Sequence, residues 1–166
     1  MSNQYPMLEA ALEVALMYPV FPTIDKKPCW SNKDLRVPKG EGGYKIATRD
    51  PERVRKLFSH RRAMEIAVPM GEMSGLMCID ADIYKSEEAA EWVMANWHYL
   101  KDTLVHGTRS GGLHFIFEHP GNHIKFRATL APGIDVKASG RGYVCWPGTE
   151  GYRAMENEEV RSALID

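Results

Sequence analysis

The segment from Met77 to Asp82 is a short hydrophobic run that ends in two carboxylates one residue apart. Met and Ile with a small Cys predict a β-strand, and side chains two residues apart on a strand point to the same face, with their Cα atoms roughly 7 Å apart. Asp80 and Asp82 are therefore predicted to converge on one spot. Acids in a strand are costly unless something pairs with them, and a pair of carboxylates suits a hard divalent cation.

The bulk composition predicts one compact domain over residues 1–166, since 44% of the residues are hydrophobic. Three cysteines without a CxxC spacing favour neither a disulfide framework nor a zinc ribbon, and reduced thiols are the expectation. The start of the chain lacks the basic, then apolar, pattern of a secretory signal. No window is apolar and long enough to span a membrane. We therefore expect a soluble, cytoplasmic (intracellular) protein without a membrane partner.

Positive charge is concentrated in one part of the chain, although the net charge is only −1. Twelve of the 21 Lys and Arg residues lie between Lys26 and Arg62, with four acids in the same stretch. Such an excess can follow a phosphate backbone. A solvated loop and the polar face of a helix explain it equally well, and both interpretations stay open.

The periodicity predicts helices and strands in an α+β order. Residues 8–16, a segment that follows Asp50 and Pro51, and a segment that follows Ser86 have helical patterns, the last with Val93, Met94 and Trp97 on its core face. The stretch from Asp25 to Thr48 is predicted to be a long loop. The predicted strands are 20–24, 65–68, 77–82, 103–108, 113–118, 134–138 and 143–146, and a short helix is expected over 158–164.

This order predicts a mixed β-sheet with an RRM-like (ferredoxin-like) core, plus an N-terminal helix-strand unit. The N-terminal unit and its basic loop are expected over about residues 1–70. The core that carries the metal-binding acids is expected over about residues 71–152.

A glycine-containing turn precedes the strand that begins at Leu113. Arg109, Ser110, Gly111 and Gly112 offer backbone amides that side chains do not obstruct, as phosphate-binding turns do, and Arg109 adds a cation. Side chains alternate between the two faces of this strand, so His114 is predicted to point to the face opposite that of Phe115 and Phe117. A plain hairpin turn followed by an ordinary strand histidine is the competing interpretation.

A third acid, Asp135, also lies between apolar residues of a predicted strand. Asp135 and Lys137 are two residues apart and are therefore predicted to point to the same face of this strand. A surface salt bridge on a half-exposed strand would explain this pair alone. Together with the two acids and the glycine turn, however, the set matches what metal-assisted phosphoryl transfer needs: carboxylates for the ions and basic groups for phosphates.

Over about residues 20–152 the sequence resembles the catalytic domain of bifunctional DNA primase-polymerases (prim-pol), in the archaeo-eukaryotic primase superfamily. The resemblance rests on the order and spacing of short motifs: Phe21-Pro22 with Lys27-Pro28, Ala47-Thr48-Arg49-Asp50, Gly71-x-x-Ser74-Gly75-Leu76, Ile79-Asp80-Ala81-Asp82, Thr108-Arg109-Ser110-Gly111-Gly112-Leu113-His114, and Gly133-Ile134-Asp135-Val136 leading to Gly142-Tyr143-Val144. Gly140-Arg141-Gly142 and Trp146-Pro147-Gly148-Thr149 depart from the family pattern.

The resemblance implies a DNA primase/DNA polymerase that transfers nucleotides on a single-stranded DNA template, from NTP or dNTP. Asp80, Asp82 and Asp135 would be catalytic and would bind two Mg²⁺ or Mn²⁺ ions. His114 and Ser110 would contact the phosphates of the nucleotide, with Arg109, Gly111, Gly112 and Lys137 beside them. The chain has no Gly-x-x-x-x-Gly-Lys-Ser/Thr loop, so a helicase would be either another domain of a longer protein or a separate protein supplied in trans.

Two other functions stay open. The chain could be a catalytically inactive module that binds a nucleotide or a single strand, or a metal-dependent phosphodiesterase or nuclease that uses the same acids with water.

Two pairs of residues are weaker candidates. His119 and His123, near Glu118, have loose metal-ligand spacing but are better explained as loop residues. Tyr143 and Trp146 could stack on a base, although packing under the sheet is expected for at least one of them.

Overall fold

The computed structural model describes residues 4–165 and contains two antiparallel β-sheets flanked by helices. The α-helices within that range are α1 (Leu8–Val14), α2 (Asn32–Leu35), α3 (Pro51–Phe58), α4 (Glu87–Ala95), α5 (Trp97–Leu100) and α6 (Asn157–Ile165). The strands are β1 (Phe21–Ile24), β2 (Lys27–Pro28), β3 (Glu65–Val68), β4 (Leu76–Ala81), β5 (Leu104–Gly107), β6 (Leu113–Glu118), β7 (Thr129–Ala131), β8 (Ile134–Lys137), β9 (Val144–Cys145) and β10 (Arg153–Ala154).

The small sheet has the strand order β2-β1-β3-β9, and the large sheet has the order β10-β5-β6-β4-β8-β7. Every ladder between these strands is antiparallel. The predicted α+β class is therefore confirmed. The strand pairing is antiparallel throughout, whereas the prediction was a mixed sheet. Within the large sheet, the order β5-β6-β4-β8 with α4 and α5 between β4 and β5 is that of a split β-α-β unit.

The two faces of the large sheet pack against different partners. Leu113, Phe115, Ala81 and Val105 belong to the core cluster that includes Ala89 and Val93 of α4 and Val160 of α6. The opposite face contributes Leu76, Cys78 and Ile116 to the cluster formed by the small sheet, α1 and α3. Because Cys78 and Asp80 are two residues apart on β4, the acid lies on the face that the small sheet partly covers.

Helix starts follow the predicted capping chemistry. The Asp50 side chain accepts a hydrogen bond from the Glu52 amide at the start of α3, and Ser86 accepts one from the Ala89 amide at the start of α4. The predicted core face of α4 is only partly correct, because Val93 is buried whereas Met94 is 54% exposed.

The predicted long loop from Asp25 to Thr48 is wrong in detail. This stretch contains β2, α2 and a 3₁₀ turn at Gly43–Ile46, and Ser31 caps α2 by accepting from the Asp34 amide. These elements are two to four residues long, too short to give a periodic apolar pattern. Across residues 4–165, the structure has no helix long and apolar enough to cross a membrane.

Candidate active site

Four polar side chains lie in one row across the middle of the large sheet. In the antiparallel register, Asp80 of β4 is directly opposite His114 of β6 on one side and Asp135 of β8 on the other, and His114 is in turn opposite His106 of β5. Directly opposite residues share a face, with Cβ atoms roughly 5 Å apart. The fold therefore brings together Asp80, His114 and Asp135, which are spread over 56 residues of sequence.

Asp80 is held by a histidine and a lysine side chain. His114 Nε2 lies 3.4 Å from its Oδ1, and Lys137 Nζ lies 3.3 Å from its Oδ2. Burial by itself raises the pKa of Asp80, but the hydrogen bond and charge of His114 and the charge of Lys137 outweigh it, so that the pKa falls below its ordinary value. Asp80 is therefore a carboxylate at neutral pH. Lys137, which was predicted to lie beside the phosphates of a nucleotide, is paired with this carboxylate.

Asp82 follows directly after β4, which ends at Ala81 rather than at Asp82. Its amide donates to the Gly133 carbonyl at 2.8 Å, which ties it to the turn before β8. Burial and the charge of Asp80 raise the pKa of Asp82, and Asp135 contributes in the same direction. The three acids thus repel one another, which is the electrostatic condition that a bound cation relieves.

Asp135 faces the same side as Asp80 but is turned toward the edge of the sheet. Its Oδ1 accepts a hydrogen bond from Thr129 Oγ1 of β7 at 3.0 Å. Within residues 4–165, no group of three His, Cys, Asp or Glu side chains stands ready to hold a metal ion. The strand register places the predicted triad on one face, whereas the side chains of Asp80 and Asp135 are engaged by protein partners.

The turn between β5 and β6 is closed by its own hydrogen bonds. The Gly111 amide donates to the Thr108 carbonyl at 3.0 Å, and the Gly112 amide donates to Thr108 Oγ1 at 2.9 Å. Gly111 has φ +91°, and a Cβ on Gly112 would lie 3.0 Å from the Ala81 carbonyl oxygen. The glycines therefore allow a tight turn against β4, and two amides that we expected to face an anion are engaged within the turn. The hydroxyl of Ser110 hydrogen-bonds Tyr84.

Arg109 points away from the three acids. Its Nη1 lies 3.2 Å from Glu65 Oε2 of β3, its Nε donates to the Glu150 carbonyl at 3.1 Å, and its guanidinium stacks 5.5 Å from the centre of the Tyr152 ring. Arg109 thus ties the turn that carries Ser110 to the small sheet.

A cavity of about 240 Å³ lies between the two sheets above Asp80. Among the predicted residues it is lined by Asp80, Asp82, Ser110, His114 and Lys137. Tyr143, the candidate for base stacking, also lines it, and the lining residues that sequence reasoning did not assign to the site are Lys26, Tyr84, Thr108, Arg141, Val144, Cys145 and Tyr152. The clustering of Lys and Arg after residue 25 was the available signal for Lys26. No periodicity pointed to the others.

The weaker candidates have structural roles. His119 Nε2 lies 3.1 Å from the Ala138 carbonyl oxygen, and its Nδ1 accepts from the Gly121 amide, as expected of a loop residue. Trp146 is 7% exposed and packs against Tyr18 and His106, so the expected packing role is confirmed for this residue. Tyr143 instead lines the cavity and packs edge-on against Phe21.

Comparison with known protein families agrees with this geometry. The model of the family "Bifunctional DNA primase/polymerase, N-terminal" matches residues 11–163, nearly the whole chain. The chain belongs to this family. As a bifunctional DNA primase/polymerase domain, it falls in a family of nucleotidyltransferases that act with a DNA template and nucleotide substrates. A search of curated proteins found no match to this primase/polymerase domain.

Proposed function

We propose that this domain is a template-dependent nucleotidyltransferase that synthesises or extends primers on single-stranded DNA. The 3′-hydroxyl of a primer or an initiating nucleotide attacks the α-phosphorus of an incoming NTP or dNTP. A new phosphodiester bond forms, the bond to the β-phosphate oxygen breaks, and pyrophosphate leaves with the electron pair. The proton of the attacking hydroxyl passes to solvent.

The observation that carries the proposal is the row of Asp135, Asp80 and His114 across the sheet. Of this row, Asp80 and His114 line the cavity, together with Asp82, Lys137 and Arg141. Acids and cations on adjacent strand positions suit a ligand that carries both metal ions and phosphates. A purely structural ion pair would not require two further acids, Asp80 and Asp135, whose charges raise the pKa of Asp82.

The donor set fits a pair of hard divalent ions, Mg²⁺ or Mn²⁺, because it offers carboxylate oxygens, and the charges of Asp80 and Asp135 raise the pKa of Asp82. Asp80, Asp82 and Asp135 would hold the ions. When bound, such ions neutralise phosphate charge and lower the pKa of an attacking hydroxyl.

The protein's own cations complete the site. His114 and Lys137 hold the Asp80 carboxylate ionised, and both are positioned to donate to phosphate oxygens once that carboxylate binds a cation instead. The Ser110 hydroxyl lines the same cavity. Gly111 and Gly112 shape the turn that presents it.

Primer extension on a single-stranded template tests the proposal. Replacing Asp80 by Asn removes the central charge of the row, and we expect a loss on the order of 100-fold or more in kcat with Mg²⁺ or Mn²⁺. Asp102→Asn is the matched control, since Asp102 is an exposed acid in the turn before β5. Full activity in Asp80→Asn, with a normal melting temperature, would contradict the mechanism.

A second candidate is a catalytically inactive binding module, favoured by one observation: both oxygens of Asp80 contact protein cations. Titration with Mn²⁺ separates the two. A catalytic site should bind the ion with an affinity that Asp82→Asn and Asp135→Asn weaken, whereas nucleotide binding that is indifferent to both changes would favour the module. Degradation of labelled DNA without nucleoside triphosphates would instead indicate a nuclease.

A further inference from the structure

The turn between β1 and β2 has a backbone that its sequence does not favour. Thr23 pairs with Pro28 and Ile24 with Lys27, which leaves Asp25 and Lys26 as a two-residue hairpin turn. Their φ angles are +50° and +64°. Turns of this kind prefer Asn-Gly or Asp-Gly, because a side chain at positive φ is strained. Contacts from elsewhere must therefore hold Lys26 in place.

Two side chains hold the backbone of Lys26 from both ends. Its amide donates to Glu65 Oε1 at 2.7 Å, and its carbonyl accepts from the Tyr143 hydroxyl at 2.7 Å. Glu65 is 1% exposed and also accepts from Thr23 Oγ1 at 2.8 Å. A buried carboxylate is costly, so its partners fix its position closely.

The same carboxylate reaches the opposite wall of the cavity. Glu65 Oε2 pairs with Arg109, the residue before Ser110. One buried acid of the small sheet thus holds the Lys26 turn with one oxygen and the Ser110 turn with the other. The distance across the mouth of the cavity, from the Lys26 turn to the Ser110 turn, is set through Glu65.

The side chain of Lys26 is exposed and lines the cavity above Asp80 as well as a neighbouring cavity shared with Ser110 and Tyr152. Its positive charge lowers the pKa of the Cys145 thiol on the cavity wall, against the larger effect of burial. Among residues 4–165, Lys26 takes part in no salt bridge, whereas Lys137 is paired with Asp80. Lys26 is therefore a cation of the cavity without a salt-bridge partner among the described residues.

We propose that Lys26 binds the polyphosphate chain of the incoming nucleoside triphosphate, and that Glu65 is the positioning residue that holds it over the site. This inference rests on the proposed function and assigns its triphosphate ligand. A phosphate of the template strand has the same chemistry. Lys26 lines the same cavity as Ser110 and His114, the two residues expected to contact the nucleotide phosphates, and this position favours the nucleotide.

The test compares Lys26→Met with Lys27→Met. Lys27 is the next residue of the hairpin, exposed and outside both cavities, so its loss removes the same charge from the same turn. The probes are a non-hydrolysable deoxynucleoside triphosphate analogue, the corresponding monophosphate, and a single-stranded oligonucleotide, each with Mn²⁺. We expect Lys26→Met to weaken triphosphate binding about 10-fold or more, with little change for the monophosphate or the oligonucleotide.

The proposed role of Glu65 needs a measurement that would stay unchanged if Glu65 were merely structural. In Glu65→Gln we expect a rise in KM for the nucleotide of several-fold. In the double variant with Lys26→Met the two effects should be less than additive, because part of the effect of Glu65 on this substrate passes through Lys26. Lys26→Gly keeps the turn, since glycine tolerates positive φ, and should reproduce the Lys26→Met defect if folding of the latter is impaired.

The outcomes distinguish this inference from the proposed function. Triphosphate binding that Lys26→Met abolishes supports the inference even if the wild-type domain transfers no nucleotide. Active transfer with an unchanged KM in both Lys26 variants overturns the inference and leaves the transferase intact. An equal defect in Lys27→Met, or a defect confined to the oligonucleotide, also overturns it.

Discussion

At the scale of single residues, His106 is the buried neighbour of the candidate site. It is 2% exposed, lies opposite His114, and packs edge-on against Trp146. Its Nδ1 has no hydrogen-bond partner within the described part of the chain. Burial and the charge of His114 lower the pKa of His106 to about 4, so that the ring is neutral near pH 7.

This pKa predicts a stability loss in acid. Because the pKa is lower in the folded state than in the unfolded state, the unfolded chain binds more protons below about pH 6.5, and stability falls between about pH 6.5 and 4. The integrated effect is on the order of 3 kcal/mol. His106→Gln removes it, so the free energy of unfolding should change less between pH 7 and pH 4.5 in this variant than in the wild type. Equal changes in both proteins would exclude His106 as the cause.

At the scale of elements, the turn between β5 and β6 shows how backbone geometry places a side chain. Thr108 accepts from two amides of the turn, and Gly111 supplies the positive φ that closes it. Ser110 then faces the cavity, and Arg109 is left to bind Glu65.

A matched pair of glycine variants tests this role. Gly111 and Gly40 have nearly the same φ, +91° and +92°, so Ala at either position should cost about 1 kcal/mol of stability. Only Gly111 borders the site, with Tyr84 Cβ 3.4 Å from an added Cβ. We expect Gly111→Ala to raise KM for the nucleotide and Gly40→Ala to leave it unchanged. Equal kinetics in the two variants, measured by primer extension, would contradict the assigned role of the turn.

The elements also show where sequence reasoning succeeds. Asp80, His114 and Asp135 lie in strands whose apolar alternation is strong, so their shared face followed from period-two patterns and from the family resemblance. Lys26 was missed as a site residue because its position depends on Glu65 and Tyr143, which are 39 and 117 residues away. Met94 was wrongly assigned to the core because helical spacing does not show how wide the buried face is.

At the scale of the whole molecule, the two sheets are interleaved along the chain. The chain forms most of the small sheet by residue 68, crosses to the large sheet, returns for β9 at Val144–Cys145, and crosses again for β10. One core cluster contains Phe21 and Ile66 of the small sheet together with Cys78 and Ile116 of the large sheet. The cavity is the gap between the sheets, so it exists only when both are formed.

This arrangement predicts that the sheets unfold as one unit. Ile116→Ala in the shared core should cost about 2 to 5 kcal/mol, and the amides of β3 and β6 should lose protection from hydrogen exchange together. Native-state exchange in increasing denaturant measures this. Opening of β3 at much lower denaturant than β6 would show two independent units.

Sequence analysis alone did not predict this division into two sheets, because the pairing partner of a two-residue strand such as β9 has no local signature. The pairing of β9 with β3 joins Ala67 to Cys145, which are 78 positions apart, and Val68 to Val144, which are 76 positions apart. Tertiary packing, rather than propensity, decides such contacts.

The free edge of the small sheet is formed by β2, and its two residues are Lys27 and Pro28. Proline has no amide hydrogen to offer a neighbouring chain, and a lysine beside it places a charge where an incoming strand would lie. The hairpin that carries Lys26 therefore also protects the domain against edge-to-edge aggregation at the mouth of its own cavity.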